Sequence, residues 1–150
     1  MDKTGLTAIG RADIPLPTNY LYLTRRLLGK VLDYGCGKCH EVNRRFVPNI
    51  EGWDPNHRPT DIGGRLYHTI ICNYVLNVIE SPQIRRAVLC DIDLHLEPEG
   101  KAYISVRNDI KTDYRTKKGT WQGVIHLPYE LVHKQSGYRM YAVKKGFSNA

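Results

Sequence analysis

Long apolar runs are absent from this 150-residue chain, and the longest one is far too short to span a bilayer. No basic stretch followed by an apolar stretch opens the chain, as it does in secreted proteins. Internal repeats and low-complexity tracts are absent too. We therefore expect a cytoplasmic protein without a membrane partner, folded as a single domain over residues 1–150. The sequence leaves the oligomeric state open.

Cysteine is scarce, and the four residues present do not make a disulfide framework in a chain of this size. Cys72 and Cys90 lie in apolar segments and are interpreted as buried thiols. The run Cys36-Gly37-Lys38-Cys39-His40 matches the C-x-x-C-H pattern of haem attachment. That pattern normally belongs to exported chains, and here it lies in a strand-to-helix turn that has another explanation. A zinc site would need two further ligands at matching spacing, so we expect no metal.

Positive charge is concentrated in the last third of the chain, which carries the whole net charge of +7. Residues 1–100 hold 12 Lys and Arg against 12 Asp and Glu, whereas residues 101–150 hold ten against three. A basic last third could attract a polyanion such as nucleic acid. A solvated basic surface is an equal alternative.

Strand-like apolar runs alternate with helical periodicities along the chain. His68 follows Asp54 by only 14 positions, and a parallel crossover alone takes about a dozen residues. A third strand of the fold, which would lie between these two positions, must therefore be short or missing. Ser136-Gly137 separates two strand-like runs and predicts a hairpin. The predicted strands are 30–34, 50–53, 68–73, 101–106, 130–135 and 138–144. The predicted helices are 19–29, 38–47 and one that begins at Ser81-Pro82, buries Ile84, Val88, Ile92 and Leu96, and is stopped by Pro98 and Gly100.

These elements predict an α/β fold: a single-domain, Rossmann-like, open and mostly parallel sheet that ends in a C-terminal antiparallel hairpin. Residues 1–18, with two prolines and no clear periodicity, are predicted to form an N-terminal arm. Residues 107–129 are polar, basic and too long for an ordinary connection, so they are a candidate substrate loop.

The most informative segment is Val31-Leu32-Asp33-Tyr34-Gly35-Cys36-Gly37, in which an apolar run ends in an acid and two glycines. A buried parallel strand enters a tight turn beneath a nucleotide-like ligand in this way. Asp54, 21 positions after Asp33, is well placed to hold a ribose diol. His40 stands where a dinucleotide motif has its third glycine, which disfavours NAD and FAD. The acid at Asp33 would repel a pyrophosphate but suits the ammonium of a methionyl group, so S-adenosylmethionine fits better.

Two structural alternatives stand beside these roles. Asp33 could simply cap the turn that leads into the next helix, although an acid at the end of an apolar strand is costly unless it is bound. Asp54 could simply begin a turn with Pro55.

Four stretches resemble, in order, the motifs of class I S-adenosylmethionine-dependent methyltransferases. They cover about residues 30–107 and are the segment 31–37, Gly52-Trp53-Asp54-Pro55, the segment 71–78 and Leu96-Glu97-Pro98-Glu99-Gly100. More narrowly, Thr7-Ala8-Ile9 with Arg11, together with residues 74–79, resembles small methyltransferase domains linked to DNA modification systems.

The resemblance implies S-adenosylmethionine as cofactor, with the glycine segment at the methionyl end and Asp54 at the ribose. It also implies that Asp61 and Ile62 flank the adenine and that Asn73 and Tyr74, the catalytic candidates, border the reacting methyl. Asn73 and Tyr74 could equally well only satisfy the strand end, and they do not match the Asn/Asp-Pro-Pro-Tyr/Phe run of DNA amino-methylases. The implied cofactor-binding residues are Asp33, Gly35, Cys36, Gly37, Asp54, Pro55, Asp61, Ile62 and Asn73.

Substrate contacts are expected from Arg107, Asn108 and Asp109, because ligands bind at the carboxyl ends of strands. Trp121 and the basic residues around it would suit a phosphate backbone and a stacked base, unless Trp121 only packs on the hairpin. Three functions remain in view. They are methyl transfer, cofactor binding without catalysis as a sensor or as the partner of a catalytic subunit, and nucleic-acid binding without a cofactor.

Overall fold

A computed structural model describes residues 13–149 of the protein. Arg11, the Thr7-Ala8-Ile9 motif and most of the predicted arm lie outside these residues. The helices are α1 (Leu16–Leu23), α2 (His40–Phe46) and α3 (Pro82–Leu94). The strands are β1 (Val31–Tyr34), β2 (Ile50–Trp53), β3 (Tyr67–Asn73), β4 (Leu96–Arg107), β5 (Tyr114–Arg115), β6 (Trp121–Gln122), β7 (Glu130–Gln135) and β8 (Tyr138–Lys144). Short 3-10 turns cover Leu76–Val78 and Phe147–Asn149.

Six strands form one sheet in the order β2-β1-β3-β4-β8-β7. β2, β1, β3 and β4 run parallel, and β8 and β7 pair antiparallel to them. The carboxyl ends of the four parallel strands therefore meet at one edge of the sheet. This arrangement confirms the predicted α/β fold and its terminal hairpin. Between β2 and β3 the described chain forms no further strand and has only an isolated bridge between Asp54 and Arg58, as the short spacing predicted.

Both faces of the sheet are covered by apolar side chains, because successive residues of a strand point to opposite faces. Ile70 faces a cluster that includes Ile92 of α3. Ile71 faces a second cluster that includes Leu21 of α1. All four residues are fully buried, so the central strands carry helices on both sides.

The first helix begins three residues earlier than predicted and ends six residues earlier. Pro15 caps α1 and Pro17 lies in its first turn, where a missing N–H costs nothing. Residues 16–18, which were predicted as part of the arm, therefore belong to α1. Gly29 does not stop the helix: its φ of +63° and its closeness to His68 fit it to the entry of β1 instead.

The third helix begins at Ser81-Pro82 as predicted, and the Ser81 hydroxyl accepts from the Ile84 N–H. It ends at Leu94, however, and β4 then runs through Pro98 and Gly100. A register shift between Tyr67 and Thr69, the partners of β4, accommodates this segment. The predicted stripe is partly wrong, because Ile84 is half exposed whereas Ile92 is buried.

The hairpin of β7 and β8 has the predicted bounds. The segment 107–129 is more regular than expected, since β5 and β6 form a second, two-stranded sheet inside it. No helix among residues 13–149 combines the length and the apolar character needed to cross a bilayer.

Candidate functional site

A cavity of about 630 Å³ opens at the carboxyl edge of the parallel strands. The loops after β1, β2, β3 and β4 line it, together with α3, β6 and the tip of the β7–β8 hairpin. Ten of the residues predicted for the site lie in its wall: Asp33, Gly35, Cys36, Gly37, Asp54, Pro55, Asn73, Tyr74, Arg107 and Asp109.

Asp33 is the most unusual group in this wall. It is 3% exposed, and its Oδ2 accepts a hydrogen bond of 2.8 Å from the Asn43 side chain. Its Oδ1 is buried and has no hydrogen-bond partner within the described part of the chain. Burial raises the pKa of Asp33 from 3.8 to about 7; the Asn43 hydrogen bond lowers it and the Asp54 charge raises it further. The folded protein thus holds a half-satisfied carboxyl group against an open cavity, which is unfavourable unless a cation completes it.

Asp54 holds the two loops at the mouth of the cavity together. Its Oδ2 accepts from the Gly37 N–H at 2.9 Å, which fixes the glycine turn after β1. Its Oδ1 accepts from the N–H groups of Asn56 at 2.9 Å and His57 at 3.0 Å, which fixes the turn after β2. A carboxylate offers about four acceptor sites, so Asp54 has room for about one further hydrogen bond. The turn with Pro55 that the sequence offered as an alternative is present, and it coexists with a place in the cavity wall.

The loops after β1 and β3 are in direct contact above the sheet. Gly35 has a φ of +79°, and a Cβ built there would lie 2.5 Å from Cγ2 of Val75. Tyr74, just before Val75, also has a positive φ of 61°, which is uncommon for a bulky residue. Such strain persists only where the surroundings impose it, and it is concentrated at functional sites.

Asn73 ends β3 and connects the cavity with α1. Its Nδ2 donates to the Thr18 hydroxyl at 2.8 Å. Its Oδ1 is buried without a hydrogen-bond partner within residues 13–149. Asn73 therefore leaves an acceptor atom unused in a residue that lines the cavity, as Asp33 does.

A buried polar network that the sequence did not reveal supports another part of the cavity wall. Asn77, 1% exposed, donates through Nδ2 to Oε1 of Gln122 at 3.1 Å. Its Oδ1 accepts from the Arg107 N–H at 3.3 Å. Its backbone oxygen accepts from the Gly123 N–H at 2.8 Å. The two hydrogen bonds of Asn77 to Gln122 and Gly123 thus attach β6 to the cavity wall. A polar residue within the apolar segment 75–79 was the signal for Asn77. Gln122 lies in the predicted substrate loop, but the sequence did not indicate that it pairs with Asn77, 45 positions away.

Arg107 and Asp109 line the cavity as a pair. The Arg107 guanidinium donates two hydrogen bonds, of 2.9 and 2.8 Å, to the two carboxylate oxygens of Asp109. The Arg107 hydrogen bond holds the pKa of Asp109 below its usual value. The pair presents a fixed donor–acceptor edge to the cavity.

Four predicted site residues lie elsewhere. Asp61 is exposed and Ile62 belongs to the core cluster, because the chain after the β2 turn leaves the cavity. Asn108 is turned away from the cavity and closes the hairpin tip, donating to the carbonyl oxygens of Gln135 and Tyr138. Trp121 packs against the core cluster, with the Arg85 guanidinium 5.4 Å from its ring centre. The neighbouring Gln122 lines the cavity instead.

No protein-family model matches the sequence, and no curated protein matches it. Solved structures do match the fold. A Burkholderia thailandensis 1,6-didemethyltoxoflavin-N1-methyltransferase, with bound 1,6-didemethyltoxoflavin and S-adenosylhomocysteine, matches at a TM-score of 0.65 and 16% identity, covering 85% of this chain and 76% of that one. The N-methyltransferase NodS from Bradyrhizobium japonicum WM9, in complex with S-adenosylhomocysteine, gives 0.52 and 14%, covering 87% and 84%.

A third structure, a complex of DhpI with S-adenosylhomocysteine, matches at a TM-score of 0.54 and 12% identity, covering 87% of this chain and 85% of that one. The identities are low, so these similarities concern the fold and not the reaction. They agree with the strand order and with the four sequence stretches that resemble the family. The link to DNA modification systems stays a prediction. The chain has the fold of the class I S-adenosylmethionine-dependent methyltransferases.

Proposed function

We propose that the protein binds S-adenosylmethionine in the large cavity and transfers its methyl group to a small-molecule acceptor. The observation that carries this proposal is the unpartnered Oδ1 of Asp33, buried in the wall of a cavity at the carboxyl edge of the sheet. The ammonium of the methionyl group is a cation of the right kind to complete that carboxylate.

The remaining wall fits the other parts of the cofactor. Asp54, with about one acceptor site left, accepts from one ribose hydroxyl while it holds the Gly37 turn. The purine of the cofactor can pack against the aromatic ring of Trp53 and the aliphatic side chains of Ile79, Ile84 and Val88. These residues replace Asp61 and Ile62 in the proposed adenine site.

Methyl transfer is an in-line displacement at the sulfonium methyl that the cofactor supplies. The chain has to orient the acceptor at about 3 Å from that methyl and exclude water. Asn73, with its unused Oδ1, orients an acceptor that carries an N–H or O–H. Arg107 and Asp109, joined to the Asn77 network, position the more distant parts of the acceptor.

A small acceptor is favoured over nucleic acid for two reasons. The cavity volume lies within the usual range of small-molecule sites, and the Burkholderia structure holds 1,6-didemethyltoxoflavin as well as S-adenosylhomocysteine. Several cations of the basic last third also pair with other groups of the protein itself, at its surface or within it. Arg107 pairs with Asp109, Arg115 with Glu80, Arg139 donates to the Ile125 carbonyl, and Lys145 donates to the Asp93 carbonyl.

Two experiments test the proposal in sequence. Calorimetry with S-adenosylmethionine and S-adenosylhomocysteine should show one saturable site; no heat from either ligand would remove the cofactor from the account. Transfer of a labelled methyl group is then measured with metabolite fractions, DNA and RNA. Label in a metabolite fraction supports the proposal, and label in nucleic acid would contradict the small acceptor. Binding without transfer to any fraction would favour the non-catalytic module.

A further inference from the structure

A second cavity of about 250 Å³ lies beside β2. β2 is an outer strand of the six-stranded sheet, and among residues 13–149 no strand pairs with its free side. Because the described chain forms no further strand between β2 and β3, the outer edge of β2 is open. The cavity is separate from the larger one, since the two share no lining residue.

Positive charge dominates the wall of this second cavity. Arg44 of α2, Arg58 of the turn after β2 and Arg65 before β3 all line it, against the single carboxylate of Glu51. Glu51 is already satisfied, because its Oε2 accepts from Arg65 at 3.3 Å and from the Tyr67 hydroxyl at 2.5 Å. Neither Arg44 nor Arg58 forms an ion pair within the described residues. Two guanidinium groups at one cavity therefore lack an ion-pair partner within the described residues.

Two buried nitrogen atoms at the same place also lack hydrogen-bond partners within residues 13–149. They are Nδ1 of His40, a residue 8% exposed, and Nε of Arg58. A Cβ on Gly52 would lie 2.9 Å from His40 Nδ1 and 3.3 Å from Arg58 Cδ, so only glycine lets these groups lie over β2. Burial is the main reason why the pKa of His40 is lowered; the charges of Arg58 and Arg44 lower it further, whereas the charge of Glu41 raises it.

We propose that the second cavity binds a phosphate dianion, either free or as the phosphate group of a small phosphomonoester. The forked donors of arginine match phosphate oxygens in pairs, which a single lysine cannot do. The dianion supplies the counter-charge that Arg44 and Arg58 lack and an acceptor for the buried Arg58 Nε. The volume exceeds that of phosphate alone, so a short carbon skeleton fits beside the charged group. This site is independent of the proposed methyl transfer.

Calorimetric titration with inorganic phosphate, at constant ionic strength in a buffer without phosphate, tests this site. We expect one saturable site per chain. Arg44→Gln and Arg58→Gln should each weaken phosphate binding at least tenfold. Arg45→Gln is the matched control, because Arg45 neighbours Arg44 on α2 but does not line the cavity. It should leave the affinity unchanged.

Glycerol 3-phosphate distinguishes the two sources of the dianion. Tighter binding than inorganic phosphate identifies a phosphomonoester, and equal binding identifies free phosphate. No saturable heat from either ligand overturns the proposal, as does equal weakening by Arg45→Gln and Arg44→Gln. Should Arg58→Gln fail to fold by circular dichroism, the exposed Arg44 decides the question alone.

Discussion

Replacing Asp33 with Asn should stabilise the ligand-free protein, although Asp33 is central to the proposed site. The pKa of Asp33 rises from 3.8 to about 7 on folding, mainly through burial. Folding therefore favours the protonated form of Asp33. The contribution of Asp33 to stability is highest below about pH 4, and it is lost as the pH rises from about 4 through 7. At about 1.4 kcal/mol per pKa unit, the ionisable group costs about 2 kcal/mol of folding free energy at pH 5 and about 4 kcal/mol at pH 8.

The Asn variant removes this cost and keeps an oxygen that accepts from Asn43. Urea unfolding followed by circular dichroism at pH 5 and pH 8 measures the effect. The advantage of the variant over the wild type should be about 2–3 kcal/mol larger at pH 8 than at pH 5, because its buried, unpaired amide nitrogen costs the same at both pH values. Asp61→Asn is the control, since Asp61 is exposed and outside the cavity, and it should change little at either pH. An equal difference at both pH values, or a variant less stable at pH 8, would refute the reasoning.

Three further predictions follow from the same geometry. Gly35→Ala places a Cβ 2.5 Å from Val75 in a left-handed backbone, so thermal unfolding should show a loss of stability of about 1–3 kcal/mol. Gly64→Ala is the control and should be nearly neutral, because the space around Gly64 is open; equal losses would contradict the contact. Asn108→Ala removes two hydrogen bonds from the hairpin tip, so stability should fall by about 1–3 kcal/mol while affinity for S-adenosylmethionine stays within twofold; a tenfold loss of affinity would restore Asn108 to the site. The affinity for S-adenosylmethionine, measured by calorimetry, should be bell-shaped in pH. It should rise as Asp33 ionises near pH 7 and fall as the α-amino group of the ligand loses its proton near pH 8; a flat profile from pH 6 to 9 would exclude this pairing.

The sequence predicted the parts of the site that follow directly from strands. Asp33 is the last residue but one of β1, and Gly35 and Asp54 directly follow β1 and β2. The carboxyl ends of such parallel strands must meet at one edge. The short spacing after Asp54 likewise predicted the missing third strand. These inferences needed only local pattern and the geometry of a parallel sheet.

The parts that depend on side-chain direction or long-range pairing could not be predicted in this way. Asn108 is adjacent to two cavity residues but points to the hairpin tip. Gln122 lies in the predicted substrate loop, but its place in the cavity wall depends on the pairing of β5 with β6 and on its hydrogen bond from Asn77. Asp61 and Ile62 were assigned by resemblance to a family whose third strand this chain lacks, so the corresponding position has moved.

The account depends most on the ionised Asp33 carboxylate as the partner of the methionyl ammonium. Calorimetric titration of wild type and Asp33→Asn with S-adenosylhomocysteine at pH 7.5 tests this most directly, because that ligand keeps the ammonium and cannot react. We expect one site in the wild type and at least tenfold weaker binding in a variant that unfolds no more easily than the wild type. Equal affinity in the two proteins, or no binding by either, would contradict the account.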